Sequence, residues 1–162
     1  PQRTVLFLCY AGEEQGLFGA SAHAQSLLSS GDASRVEFML NMDMIGYSAD
    51  SDLDVLIEST TLGEPAFARF GALAAAYAPS LRLVTSLSPC CSDHMPYLNA
   101  GIPAALTIEN DWNVYAHYHR STDVPANISN ALAMGGGILK MNAAFLADTA
   151  LASDRVFADG VE

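Results

Sequence analysis

Two glutamates, Glu13 and Glu14, stand side by side in the stretch CYAGEEQGLFG, which runs from residue 9 to residue 19. An apolar run ends just before them. Taken alone, an acidic pair before a helix is most often a solvated turn that benefits from the helix dipole. Adjacent carboxylates can also divide two tasks, because one can bind a metal ion while its neighbour accepts a proton.

Asp43 is harder to explain as a surface residue. It ends an apolar run in LNMDMIG and lies between Met42 and Met44. A carboxylate in such surroundings loses hydration and needs a cation or hydrogen-bond donors. Basic residues are scarce, and the nearest in sequence is Arg35. A bound metal ion is therefore a candidate for the missing positive charge.

Two further stretches carry imidazole and carboxylate groups, namely CCSDHMP at 90–96 and YAHYHRSTD at 115–123. A lone histidine in an aromatic loop is more often packed or solvated than a ligand. Likewise, Ser92 or Asp93 can be an ordinary helix cap. Together, however, Glu, Asp and His supply the oxygen and nitrogen ligands that zinc accepts at a catalytic site. The combined set predicts a hydrolytic metal site.

The composition narrows the class of protein. The chain has 162 residues, 51% of them hydrophobic, and a formal net charge of -11. The hydrophobic content supports a sizeable core, whereas the negative charge argues against nucleic acid or an anionic membrane as a partner. Three cysteines, Cys9, Cys90 and Cys91, leave the redox compartment open. Because the chain opens at Pro1 without a leader, we expect it to have been cut from something longer.

Short β-rich runs alternate with helical stretches along the chain. Strands are predicted at 4–9, 36–43, 54–58, 81–85 and 103–108, and helices at 17–29, 64–78, just before Gly101 and 128–151. This alternation predicts an α/β fold with three layers, α/β/α, around a mostly parallel, mixed sheet. The domain is expected to cover residues 1–152, followed by a polar tail at 153–162. Ligands in such sheets sit beyond the carboxyl ends of the strands, where the polar stretches begin.

Four motifs occur in order, FLCYAGEEQGLFGA, NMDMIG, SDHMPY and YHRSTD, and span residues 7–123. In this order and at these separations they resemble the dinuclear-zinc aminopeptidase family, whose relatives include glutamate carboxypeptidases and glutaminyl cyclases. The resemblance implies a zinc-exopeptidase-like fold with a site of two zinc ions. It assigns Glu13 as the general base, Glu14 and His119 as ligands of one zinc, and Asp43 as a ligand of the other.

Several neighbouring residues receive supporting or alternative roles from the same resemblance. His117 is the fallback for His119. Residues expected to support the site from outside the ligand set, or to lie on the substrate side, are Asp123, Ser92, Asp93 and His94.

The implied activity is the release of N-terminal amino acids from peptides with a free N-terminus. Zinc would activate the attacking water, and Glu13 would take its proton. The resemblance also implies a secreted or periplasmic protein of a bacterium. The alternatives are a carboxypeptidase or a glutaminyl cyclase on the same fold, or a metal-free binding domain.

The chain departs from the family pattern upstream of Glu13. The family places a His-x-Asp strand motif and a second aspartate there, and both are absent, so the chain offers three of five expected ligands. We therefore expect the chain alone to bind zinc weakly and to be inactive. We also expect an open sheet edge, with dimerisation, strand exchange or a distorted first strand. A disulfide between Cys90 and Cys91 would be strained, so a free thiol or another bridge is at least as good an expectation.

Overall fold

The computed structural model describes residues 2–151, so the predicted tail and the predicted domain boundary lie outside the described residues. The helices are α1 (Phe18–Ser30), α2 (Phe67–Tyr77), α3 (Met95–Asn99) and α4 (Ala131–Leu151). The strands are β1 (Met39–Met42), β2 (Asp54–Glu58), β3 (Arg82–Ser86) and β4 (Ala104–Glu109). No helix in this part of the chain is long and apolar enough to cross a membrane.

The four strands form one mixed sheet in the order β1-β4-β2-β3. β1 pairs with β4 in parallel and β2 pairs with β3 in parallel, whereas β2 and β4 are antiparallel. The predicted mostly parallel, mixed sheet is therefore confirmed. β1 and β4 both end at one edge of the sheet, where Asp43 follows β1 and Glu109 closes β4.

Helices cover both faces of this sheet, as the predicted three-layer arrangement requires. α2 and α4 pack on one face, where Phe70 and Phe145 stack with ring centroids 4.1 Å apart beside Val55 and Ile57. α1 and α3 pack on the other face. The buried core between these helices and the sheet consists of Ala20, Ala24, Tyr97, Leu98, Ile102 and Ala104.

The strand predicted at 4–9 is wrong, because the structure places these residues outside the sheet. The side chains of Leu6 and Phe7 are 68% and 86% exposed. An apolar, β-rich composition favours a strand only where a neighbouring strand takes up its backbone groups. None of the four described strands pairs with this segment. Among the expected outcomes this corresponds to a distorted first strand, while dimerisation and strand exchange stay predictions.

Gly63 lies where the turn before α2 approaches the start of β4. A Cβ at this position would come within 2.5 Å of the Ala104 carbonyl oxygen and would also meet Ser59 Oγ. That hydroxyl donates a hydrogen bond to the same carbonyl. We expect Gly63→Ala to lower the free energy of unfolding of the full-length protein by about 3 kcal/mol in urea denaturation, because overpacking against backbone forces a shift.

Gly71 gives a matched control for this prediction, because it lies within α2 and a Cβ there would meet nothing within 4 Å. Gly71→Ala is expected to stabilise the protein by about 0.5–1 kcal/mol through helix propensity. A Gly63→Ala protein as stable as the unmutated one would contradict the close approach.

Candidate functional site

The two adjacent glutamates sit in a turn that leads into α1. The backbone N–H groups of Gly16 and Leu17 both donate to the Glu13 carbonyl oxygen, at 3.0 and 2.9 Å. Gly19 lies against Ala11, and a Cβ on Gly19 would come within 2.9 Å of the Ala11 nitrogen. A glycine at this crossing therefore allows the turn to close and fixes where both carboxylates emerge.

Glu14 lies beside His119 in the structure. Glu14 Oε1 and His119 Nε2 are 3.1 Å apart, and the two side chains are 60% and 54% exposed. The Tyr118 ring stacks on the imidazole with centroids 3.8 Å apart. The contact joins the turn before α1 to the loop after β4, and it sets a carboxylate oxygen next to an imidazole nitrogen.

The Asp43 carboxylate lies at the end of a short chain of hydrogen bonds. Ser92 Oγ donates to Asp43 Oδ2 at 2.9 Å, and Asn41 Nδ2 donates to Ser92 Oγ at 2.8 Å. Ser92 is buried. Arg35 does not supply the counter-charge, because its guanidinium pairs with Asp32 at 2.6 Å. Asp43 is thus oriented by a neutral hydroxyl, and within residues 2–151 no arginine forms an ion pair with it.

The loop that carries Ser92 reaches Asp43 by an unexpected route. β3 runs antiparallel to β4, so its end at Ser86 lies towards the opposite edge of the sheet from Asp43. The following residues must return along the sheet for Ser92 to reach Asp43. The loop also contains Cys90 and Cys91, which the structure joins in a disulfide rather than leaving as free thiols.

Glu13 lies in a strongly negative environment. Burial raises the pKa of its carboxyl, and the nearby charges of Asp43, Glu14 and Asp93 raise it further, while His119 opposes the shift. Burial and Asp43 likewise raise the pKa of Asp93. A cation bound among these groups would relieve their mutual repulsion.

The donor types fit zinc, which binds carboxylate oxygen and imidazole nitrogen. Glu14 Oε1 and His119 Nε2 are 3.1 Å apart, which is close enough for both atoms to bind one zinc ion. Nevertheless, no group of three His, Cys, Asp or Glu side chains that could hold a metal ion occurs within residues 2–151. Among the described residues, Glu14 and His119 therefore supply two donors for one zinc ion, and Asp43 supplies a donor at a separate position.

The other predicted histidines and acids have different surroundings. His117 Nδ1 lies 2.9 Å from Thr122 Oγ1, within its own loop. The Tyr115 hydroxyl donates to Asp123 Oδ1 at 2.6 Å. This hydrogen bond, together with burial, raises the pKa of Tyr115 to about 12. Asp123 thus fixes the orientation of Tyr115.

His94 is fully buried. Burial lowers its pKa to about 4, and neither ring nitrogen has a hydrogen-bond partner within the described chain. His94 therefore packs as a neutral ring. It follows the partly buried Asp93 and sits at the start of α3.

A cavity of about 580 Å³ opens beside these groups. Sequence reasoning missed several of its lining residues: Tyr118, which stacks on His119, Tyr115, Glu58 and Glu109. Glu109 closes an apolar strand much as Asp43 follows one, so the same positional signal could have found it. No comparable signal marks Glu58 or the tyrosines.

These features define a three-layer α/β domain with a carboxylate–imidazole site at the end of its sheet. The model of Peptidase family M28 matches residues 1–138, and the chain belongs to this family.

The chain is also similar to individual members of known activity or structure. It is 30% identical to leucine aminopeptidase 1 of Trichophyton equinum in an alignment 129 positions long that covers 75% of this chain and 34% of the relative. The zinc aminopeptidase BSAP from Bacillus subtilis shares 27% identity, with a TM-score of 0.68 over 86% of this chain and 34% of that one. The LapA aminopeptidase of Legionella pneumophila has the same fold, at 23% identity and a TM-score of 0.74 over 90% of this chain and 38% of that one. The chain therefore spans about a third of the length of the curated relatives it matches.

Proposed function

We propose that the full-length protein is a zinc-dependent aminopeptidase that releases N-terminal amino acids from peptides. The contact between Glu14 and His119, with Glu13 adjacent, carries this proposal. It sets two zinc-type donors together and leaves a neighbouring carboxylate for proton transfer. The curated relative in Trichophyton equinum is named a leucine aminopeptidase, which favours this activity over carboxypeptidase or cyclase chemistry.

In the proposed site, Glu14 and His119 would hold one zinc ion, and Asp43 would be a ligand of a second. Bound zinc supplies Lewis acidity to the scissile carbonyl and to the attacking water. Glu13 takes a proton from that water at its carboxylate and passes it to the leaving amine.

Neighbouring side chains keep the proposed ligands in place. Ser92 orients Asp43 through its hydroxyl, and Asn41 in turn fixes Ser92. Tyr118 stacks on His119 and limits rotation of the imidazole. Groups that orient metal ligands in this way commonly change metal affinity or activity when they are removed.

The proposed activity is tested on the purified full-length protein with three substrates: leucine p-nitroanilide, a peptide with a blocked N-terminus and a free carboxyl end, and a peptide with N-terminal glutamine. We expect hydrolysis of the anilide, its loss on chelation and its return with added zinc. Release of the C-terminal residue or cyclisation of glutamine would instead select one of the alternatives. No turnover of any of the three would favour a metal-free binding domain.

A polypeptide of these 162 residues alone is expected to bind zinc with a Kd on the order of micromolar or weaker, because too few donors converge for a closed site. Isothermal titration calorimetry with ZnCl₂ measures this affinity, and His119→Ala is the matched variant that should weaken it further. Nanomolar affinity would contradict the incomplete ligand set. Zinc-edge anomalous density in crystals of the full-length protein tests whether Glu14, Asp43 and His119 are the ligands.

We also propose that the protein is exported, on the basis of the family resemblance. Detection of the protein in the culture medium or periplasm of its host is the test. Detection only in the cytoplasm would contradict export.

A further inference from the structure

Two acidic residues of the cavity have no part in the proposed mechanism. Six carboxylates line it. Of these, Glu13, Glu14 and Asp43 belong to the proposed catalytic centre, and Asp123 accepts the Tyr115 hydroxyl. The remaining two are Glu58 and Glu109. Among the lining residues in the described part of the chain, His119 is the one basic side chain, so these two carboxylates have no lysine or arginine in the wall.

Glu58 lies on the face of the sheet that forms the cavity floor. It is the last residue of β2 and pairs with Leu106 of β4, so the two side chains share a face. Leu106 lines the cavity, as does Ile108 two residues further along the same strand. Glu58 is partly buried and accepts a hydrogen bond from the backbone N–H of Cys90. Its carboxylate is therefore held among apolar side chains rather than extended into solvent.

Glu109 adds an independent sign of a missing ligand group. Its side chain is 1% exposed, and its Oε2 accepts the backbone N–H of Asp111 at 2.8 Å. The other oxygen, Oε1, has no hydrogen-bond partner within the described chain. A buried carboxyl oxygen without a hydrogen-bond partner is costly, so it points to a polar ligand group in the cavity.

The rest of the wall suits an aliphatic chain. Leu106 and Ile108 form apolar surface, and Trp112 and Tyr118 add aromatic rings that pack in a T-shaped arrangement with centroids 6.3 Å apart. Apolar walls bury methylene groups, while aromatic faces and carboxylates favour a cation. The lining thus matches an aliphatic stem that ends in a positive charge.

We propose that this cavity selects peptides whose N-terminal residue is lysine or arginine, with Glu58 as the carboxylate that pairs with the cationic side chain. The inference rests on the proposed function, since it names the substrate class of the same site. It predicts a preference for basic over neutral side chains of equal length.

The test compares kcat/KM of the full-length protein for the p-nitroanilides of lysine and norleucine, whose side chains differ mainly in the terminal ammonium. We expect lysine to be preferred by about tenfold or more, and Glu58→Gln to reduce kcat/KM for the lysine substrate about thirtyfold, as for loss of a partly buried charge pair. Turnover of norleucine anilide should change less than about threefold in that variant. Glu64→Gln removes an exposed carboxylate that does not line the cavity and should leave both rates unchanged.

Equal or better turnover of norleucine anilide by the unmutated protein would overturn the proposal, whether or not the variant folds. An unchanged lysine-to-norleucine ratio in folded Glu58→Gln would overturn it as well. If neither anilide is hydrolysed, the proposed function fails, and calorimetry with L-lysinamide and L-norleucinamide still decides the selectivity. Tighter lysinamide binding that Glu58→Gln abolishes would support it, and equal binding of the two amides would reject it.

Discussion

Glu13→Gln in the full-length protein is expected to lower kcat for leucine p-nitroanilide by a factor on the order of 10²–10⁴ while zinc stays bound. Glutamine keeps the size of the side chain and loses the ability to take up a proton. The backbone turn should persist, because its hydrogen bonds use the carbonyl of residue 13 and not the side chain. Steady-state kinetics and zinc content by atomic absorption give the two readouts.

Glu14→Gln is the matched control, since it makes the same chemical change one residue away. Glu14 contacts His119, so its loss is expected to lower zinc content as well as activity. The two variants should thus distinguish the proton-transferring role of Glu13 from the metal-binding role of Glu14. Normal turnover by Glu13→Gln, or loss of zinc from it, would remove Glu13 from the role proposed for it.

Glu109 is expected to make the protein less stable as the pH rises from about 5 to 9. Burial raises the pKa of this carboxyl from its ordinary value of 4.5 to about 8. Between these two values the folded state holds a proton that the unfolded state has released, so the free energy of unfolding falls with rising pH. The shift corresponds to a loss on the order of 5 kcal/mol once the pH exceeds 8.

Glu109→Gln should abolish this contribution, because the amide resembles the protonated acid and does not titrate. The measurement is urea denaturation of both proteins from pH 5 to pH 9, which gives the difference in unfolding free energy at each pH. As the pH rises, the free energy of unfolding of the variant should increase relative to that of the unmutated protein. Glu64→Gln, at an exposed carboxylate, should follow the unmutated protein throughout. A difference that stays constant with pH would show that Glu109 titrates normally.

Local sequence pattern predicted most of the elements but not the partners of each strand. The strand at 54–58 and the helix ending before Gly31 match β2 and α1, because period, capping glycine and length are local properties. The strand predicted at 36–43 shortens to β1, which pairs with β4 over four residues. The segment at 4–9 failed because strand formation depends on a neighbour that composition does not reveal. The antiparallel pairing of β2 with β4 was likewise not marked in the sequence.

The residue types of the site could be predicted from the sequence, but their spatial arrangement could not. Glu, Asp and His at strand ends indicated metal chemistry, and the order of the motifs indicated the family. The proximity of Glu14 to His119 and the hydrogen bond from Ser92 to Asp43 depend on tertiary structure. Glu58 was not predicted as a site residue, because acidic residues at the ends of short strands are common. Only the tertiary structure shows that Glu58 lines a cavity.

The contact between Glu14 and His119 also bears on when the site can form during folding. One residue precedes α1 and the other follows β4, so most of the described chain must be in place before they meet. Contacts between distant parts of a chain form late, because closing a long loop costs entropy that local structure does not offset. A nascent chain would therefore hold the proposed peptidase centre unassembled until its sheet is complete. Such timing would spare the chain and its neighbours from cleavage during synthesis.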